Sequence, residues 1–197
     1  MNDSKHTNLL SAALDSSLVT LLLPPLLWIG AWNLQLTLNQ MVGMVNGFSV
    51  ILLTAGVRVF TGVIFGASGL ITLTIGTIVW FYFVQHEQYN QSFLTLSSLS
   101  VIYSIVVFST IEIVRKLRGL DKSFTGVKMS DFLVIVGASA LISNVMKYFL
   151  IPYPIDANQI YSFALTFLSR FVGTTVAFFT LMLAFQLLMS VAIKRDA

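Results

Sequence analysis

Between positions 16 and 85 the chain carries one charged residue, Arg58. The stretch 16–57 alone is 42 residues without a formal charge. As a helix rising 1.5 Å per residue it would be roughly 63 Å long, about twice the hydrocarbon thickness of a bilayer. No aqueous surface can be built around so much apolar chain. Of 197 residues, 56% are hydrophobic and 10% charged, and the mean hydropathy is +0.87; soluble domains carry about 25% charged residues. The solvent is lipid. With backbone groups unable to reach water, an all-α polytopic bundle is the expected fold class.

A single helix cannot hold 16–57, and the polar patch NLQLTLNQ at 33–40 is the expected break. The expected transmembrane helices then number six, near 10–32, 41–57, 59–84, 93–114, 131–151 and 161–192, in one transmembrane domain with a basic loop over 115–130. The segment up to Trp32 has one lysine, Lys5, and sets Asp15 among apolar residues, so it reads as a retained span and not as a cleaved leader. With both termini cytoplasmic, Lys5, Arg58, Arg115, Lys116, Arg118, Lys122, Lys128, Lys194 and Arg195 fall inside, whereas 33–40, 85–92 and 152–160 hold no Lys or Arg. Trp28, Trp32, Trp80, Tyr82, Tyr148, Tyr153 and Tyr161 fall near the outer ends, as an interfacial aromatic belt would. This is the pattern of a multi-pass protein of the bacterial cytoplasmic (inner) membrane.

Three cations depart from ordinary loop positions. Arg58 is either a solvated turn residue between the second and third spans or a guanidinium drawn into the membrane by a re-entrant, glycine-rich segment. Lys147 and Arg170 lie in the outer halves of the last two spans, against the positive-inside bias, on helices expected to be antiparallel neighbours. Together they are candidates to hold a small anionic ligand or a lipid headgroup. Asp15, Glu112 and Asp131 fall near the inner face, where solvation or pairing with Arg115 or Lys128 suffices. Gly43 with Gly47 and Gly62 with Gly66 are small-residue pairs at i and i+4, expected to let the second and third spans pack closely.

Several chemistries leave no trace. There is no cysteine, hence no disulfide or thiolate metal site. His86 and Glu87 do not make a metal site, His6 is isolated, and no metalloprotease, serine-hydrolase or phosphate-loop motif occurs. Neither an enzyme nor a cofactor is expected. The basic residues form no stripe with interleaved aromatics, so nucleic acid is not an expected partner.

At 54–80, TAGVRVFTGVIFGASGLITLTIGTIVW resembles the corresponding region of MASE1-type integral membrane sensor domains and related uncharacterised bacterial membrane proteins. The resemblance lies in Gly56, Val57 and Arg58, then Phe65 and Gly66, then Gly76; Thr54 stands where those relatives have proline. It extends to RFVGTTVAFF at 170–179, where Gly173 is followed by Thr174 in place of their aspartate. The resemblance implies a sensory or partner-binding membrane module without catalytic chemistry, with another membrane protein as a candidate partner. Two alternatives stand beside it: a small-solute carrier or substrate-binding transport subunit receiving an anion at Lys147 and Arg170, and a structural subunit of a membrane complex.

The charge asymmetry makes a direct prediction about sidedness. A cysteine introduced at Asn90 should react with a membrane-impermeant thiol reagent added outside intact cells, and one at Ser123 should react only after permeabilisation; the opposite pattern inverts the topology.

Overall fold

The computed structural model describes residues 17–42, 52–85, 92–120, 129–150 and 159–195, all helical apart from short flanking turns. Among these described residues, five helices are long and apolar enough to span a membrane. They are α1 (Ser17–Val42), α2 (Leu53–Trp80, continued by a π-helical turn Phe81–Gln85), α3 (Phe93–Arg118), α4 (Met129–Leu150) and α5 (Gln159–Arg195). Their outward faces are apolar, with Leu18, Leu22, Ile75, Ile105 and Phe149 exposed, while Thr61, Thr77, Ser100, Asn144 and Thr174 are buried. Such an inside-out distribution suits a lipid environment.

The first expected break is absent. Helix α1 runs straight through 33–40, because its polar side chains bond their own backbone one turn back: Asn33 Nδ2 donates to Ile29 O at 2.8 Å and Thr37 Oγ1 to Asn33 O at 3.0 Å. The patch is thus not a loop, and the first helix ends at Val42 instead of near 32. Pro24 and Pro25 lie inside it. Pro24 has no N–H for Thr20 O, and Thr72 Oγ1 of α2 supplies the missing donor at 2.9 Å. Pro25 packs its ring on Gly76, where a Cβ would lie 2.6 Å from Pro25 Cβ.

The second expected break is displaced. Arg58 is not in a turn; the chain turns at Gly66, whose φ of 61° and ψ of −146° lie outside helical space. There α2 folds back on itself. Arg58 and Thr74 would stand roughly 24 Å apart on a straight helix, yet both reach Ser104 Oγ, at 2.8 and 2.5 Å. A Cβ on Gly62 would likewise meet Leu70 Cδ1 at 3.2 Å. The two arms, 53–65 and 67–80, are each about 20 Å long. The second arm lies beside α1 and α3, and the first beside α5. Leu52 N–H donates to Ser169 O at 3.2 Å, Gly173 lies against the Leu52 backbone, and a Cβ on Gly56 would sit 2.8 Å from Thr174 O. The segments 54–80 and 170–179 therefore touch.

The expected glycine roles change accordingly. Gly62 faces Ile111 and Val107 of α3 as well as the opposite arm, Gly66 serves as the turn, where a Cβ would meet nothing within 4 Å, and Gly43 and Gly47 lie outside the described residues.

Helices α4 and α5 complete the bundle, clamped by Asn144 Nδ2 donating to Phe163 O at 2.9 Å and by Phe132 against Phe178, ring centroids 3.8 Å apart. Val59, Phe60, Ile111, Val114, Phe132, Ile135 and Phe178 form a dense core at the end of the bundle bearing Arg115 and Arg118. A second cluster of Trp28, Val57, Leu73, Phe81 and Leu96 forms toward the other end. Near the basic end, Arg115 pairs with Glu112 at 2.6 Å and Arg118 with the buried Asp131 at 2.7 Å, the latter tying α3 to α4.

The fold-back makes Gly66 sensitive for a backbone reason alone. Its φ/ψ pair is essentially restricted to glycine, so Gly66→Ala and Gly66→Asn should each lower stability by about 1–3 kcal/mol although space for the side chain is open. Thermal melting in mild detergent measures it; wild-type melting of both variants would refute the turn.

Candidate functional site

Between the two apolar clusters lies a cavity of about 340 Å³ lined by all five helices. Arg58, Lys147 and Arg170 all line it. The residues that stood out in the sequence one by one are therefore neighbours in space.

Arg58 reaches the cavity because the fold-back lays the first arm of α2 against α3. It is 6% exposed, and its guanidinium is tied to one turn of that helix. Nη1 donates to Ser100 O at 2.5 Å and to Ser104 Oγ at 2.8 Å, and Nη2 to Ser100 Oγ at 3.4 Å. Ser104 Oγ also pairs with Thr74 Oγ1, so one hydroxyl links both arms of α2 to α3. A charge in this setting persists because hydrogen bonds replace the water it lost.

Arg170, 7% exposed, comes from α5 and meets the same stretch of α3. Its Nη2 donates to Tyr103 OH at 2.8 Å, and its Cζ lies 4.5 Å from the centre of the Tyr103 ring. Arg58 Cζ is 5.9 Å from that centre. Tyr103 thus sits between two guanidiniums, an arrangement in which its ring quadrupole attracts both. Arg170 Nε is buried and has no hydrogen-bond partner among the described residues. Lys147, half-buried on α4, lines the same space, with Ser139 and Ser143 on its helix and Thr166 on α5.

Among the described residues no Asp or Glu lines the cavity. Glu112 and Asp131 pair with Arg115 and Arg118 near the basic end. Asp15, Glu87 and Asp156, with His6 and His86, lie outside the described residues. In a low-dielectric interior, cations brought to one cavity interact strongly with one another and with any charge that enters it. Among the described residues no three of His, Cys, Asp and Glu come together as a metal site.

Several lining residues gave no individual signal in the sequence. Ser100, a hydroxyl in an apolar run, accepts from Arg58 with both its carbonyl and its hydroxyl. Trp28 and Trp32 read as interfacial anchors, but Trp28 is 3% exposed and both line the cavity. Gln35, in the patch expected to be a loop, is buried and accepts from Thr54 Oγ1 at 3.4 Å. The one available cue was Tyr103, a lone phenol within an apolar run.

The multidentate geometry at Arg58 makes its replacement costly. An ammonium cannot reproduce donors directed at Ser100 O, Ser100 Oγ and Ser104 Oγ together, so Arg58→Lys and Arg58→Gln should each destabilise the protein by about 1–3 kcal/mol. Melting of both variants at wild-type temperature would show that these bonds are dispensable.

Compared with known proteins, the chain matches no family model, no curated protein and no solved structure.

Proposed function

We propose that this protein is a binding component for a small anionic solute, either a carrier or the substrate-binding subunit of a transport assembly. The observation that carries this reading is the meeting of Arg58, Lys147 and Arg170 on one cavity whose described lining contains no carboxylate. Buried cations are expensive in a bilayer, and their usual use is to mark a ligand or ion path. A cavity of about 340 Å³ lies in the size range of small-molecule sites.

The membrane placement that accompanies this function is six passes in the bacterial cytoplasmic membrane with both ends cytoplasmic. The fold-back at Gly66 supports the two ends lying on one side, because a hairpin in place of one rod makes the number of crossings even. Arg115, Lys116 and Arg118 mark the cytoplasmic end, where the larger apolar core seals the bundle. The cavity wall instead continues along α1 through Gln35 and the exposed Leu36 to Asn39, so solute enters from the outer face.

A sensory use of the same site is the second reading. It is favoured by the contact between Gly173 and Leu52 and between Gly56 and Thr174, which joins the two MASE1-like segments beside the cavity and would pass ligand occupancy to a partner protein.

Ligand-dependent stabilisation tests the site directly. A ligand at 100 times its dissociation constant adds about 2.7 kcal/mol to stability, so a saturating anion should raise the melting temperature of the purified protein by several degrees at constant ionic strength. Arg170→Gln should abolish the rise. Solute uptake into proteoliposomes then separates carrier from sensor. Failure of every organic and inorganic anion tried to shift the melting temperature would refute the anion site.

A further inference from the structure

We infer that the anion received by this cavity is a planar aromatic one, its acidic head at Arg170 and its ring against Trp28, Trp32 and Phe81. The inference rests on the anion-binding function proposed above and names its ligand class.

The lining is divided by origin. The cationic and phenolic groups come from α2, α3, α4 and α5 through Arg58, Tyr103, Lys147 and Arg170, and the large rings come from α1 and the π turn after α2. Those rings form a wall with little freedom. Trp28 and Trp32 stack with centroids 5.2 Å apart at 22°, and Phe81 stands edge-on to both, at 5.7 and 6.0 Å. An interfacial anchor keeps its ring at the lipid headgroups, but Trp28 is 3% exposed, and both indoles line the cavity. On the same cavity, Arg170 is oriented by Tyr103, which holds Nη2 and covers the guanidinium face, while the buried Nε has no hydrogen-bond partner among the described residues. A carboxylate, sulfonate or phosphate oxygen would satisfy that donor. An inorganic anion of the same charge would occupy the cationic end and leave the aromatic wall without a ligand, so the apolar half would contribute nothing to affinity.

The test compares four probes on the full-length protein in lipid nanodiscs, with empty nanodiscs as the blank: 2-naphthoate, 2-naphthamide, acetate and inorganic phosphate. Naphthoate should bind at least about tenfold more tightly than acetate, phosphate or the neutral amide, since burying two fused rings and keeping the charge each contribute more than a tenfold factor. Trp32→Ala should erase the preference for naphthoate over acetate. Arg170→Gln should erase the preference for naphthoate over naphthamide. The wild-type ranking decides the matter even where a variant does not fold. Acetate or phosphate binding as tightly as naphthoate overturns the aromatic assignment and leaves the anion site standing. Naphthamide equal to naphthoate, or no binding by any probe, overturns both.

Discussion

A guanidinium held within the bundle by hydrogen bonds from one neighbouring helix organises this protein. Arg58 is affordable only where Ser100 and Ser104 replace its lost water, and it meets them only because α2 doubles back at Gly66 and presses its first arm against α3. Remove the fold-back and the arginine would project from a straight rod toward lipid or toward another helix. Ser104 adds Thr74 to the same hydroxyl, so the link that satisfies the charge also fastens the two arms to each other. The charge and the turn are mutually required.

The same substitution of partners recurs where the helices lose their own hydrogen bonds. Pro24 deprives Thr20 O of a donor, and Thr72 from the second arm provides one. Pro25 brings a bulky ring to the interface, and Gly76 makes room for it. Gly56 and Gly173 let the first arm and α5 approach to backbone contact. With lipid as solvent, helix association has little hydrophobic drive, and close backbone contact with paired polar groups takes its place. Thr72, Gly76, Gly56 and Gly173 are therefore as structural as any core leucine.

Below the cavity the aliphatic and phenylalanine core seals the basic end, and above it the indole pair and Phe81 form the wall that leads along α1 toward Asn39. Tyr103 stands between the two arginines and orients one of them. The cavity is thus built from residues that each solve a packing problem of their own, and its positive character follows from three of them being cations.

Composition and charge spacing by themselves determined the solvent, the all-helical class and the basic end, because a bilayer tolerates only satisfied backbone and sparse charge, and these are properties of any chain segment taken alone. They also singled out Arg58, Lys147 and Arg170, since a cation in an apolar run is visible wherever it lies. What local reading could not supply was the partner. The patch at 33–40 looks like a loop until Asn33 and Thr37 are seen bonding the preceding turn, and Arg58 reads either as a turn residue or as a guanidinium drawn into the membrane until Ser100 and Ser104, some 42 and 46 positions away, are brought to it. Gly66 resembles a packing glycine by spacing, and only its positive φ reveals the turn. Whether a polar group in lipid is exposed, self-satisfied or paired across helices depends on which helix lies opposite. That was decided by the tertiary fold, where the backbone geometry of one glycine set the register of everything around it.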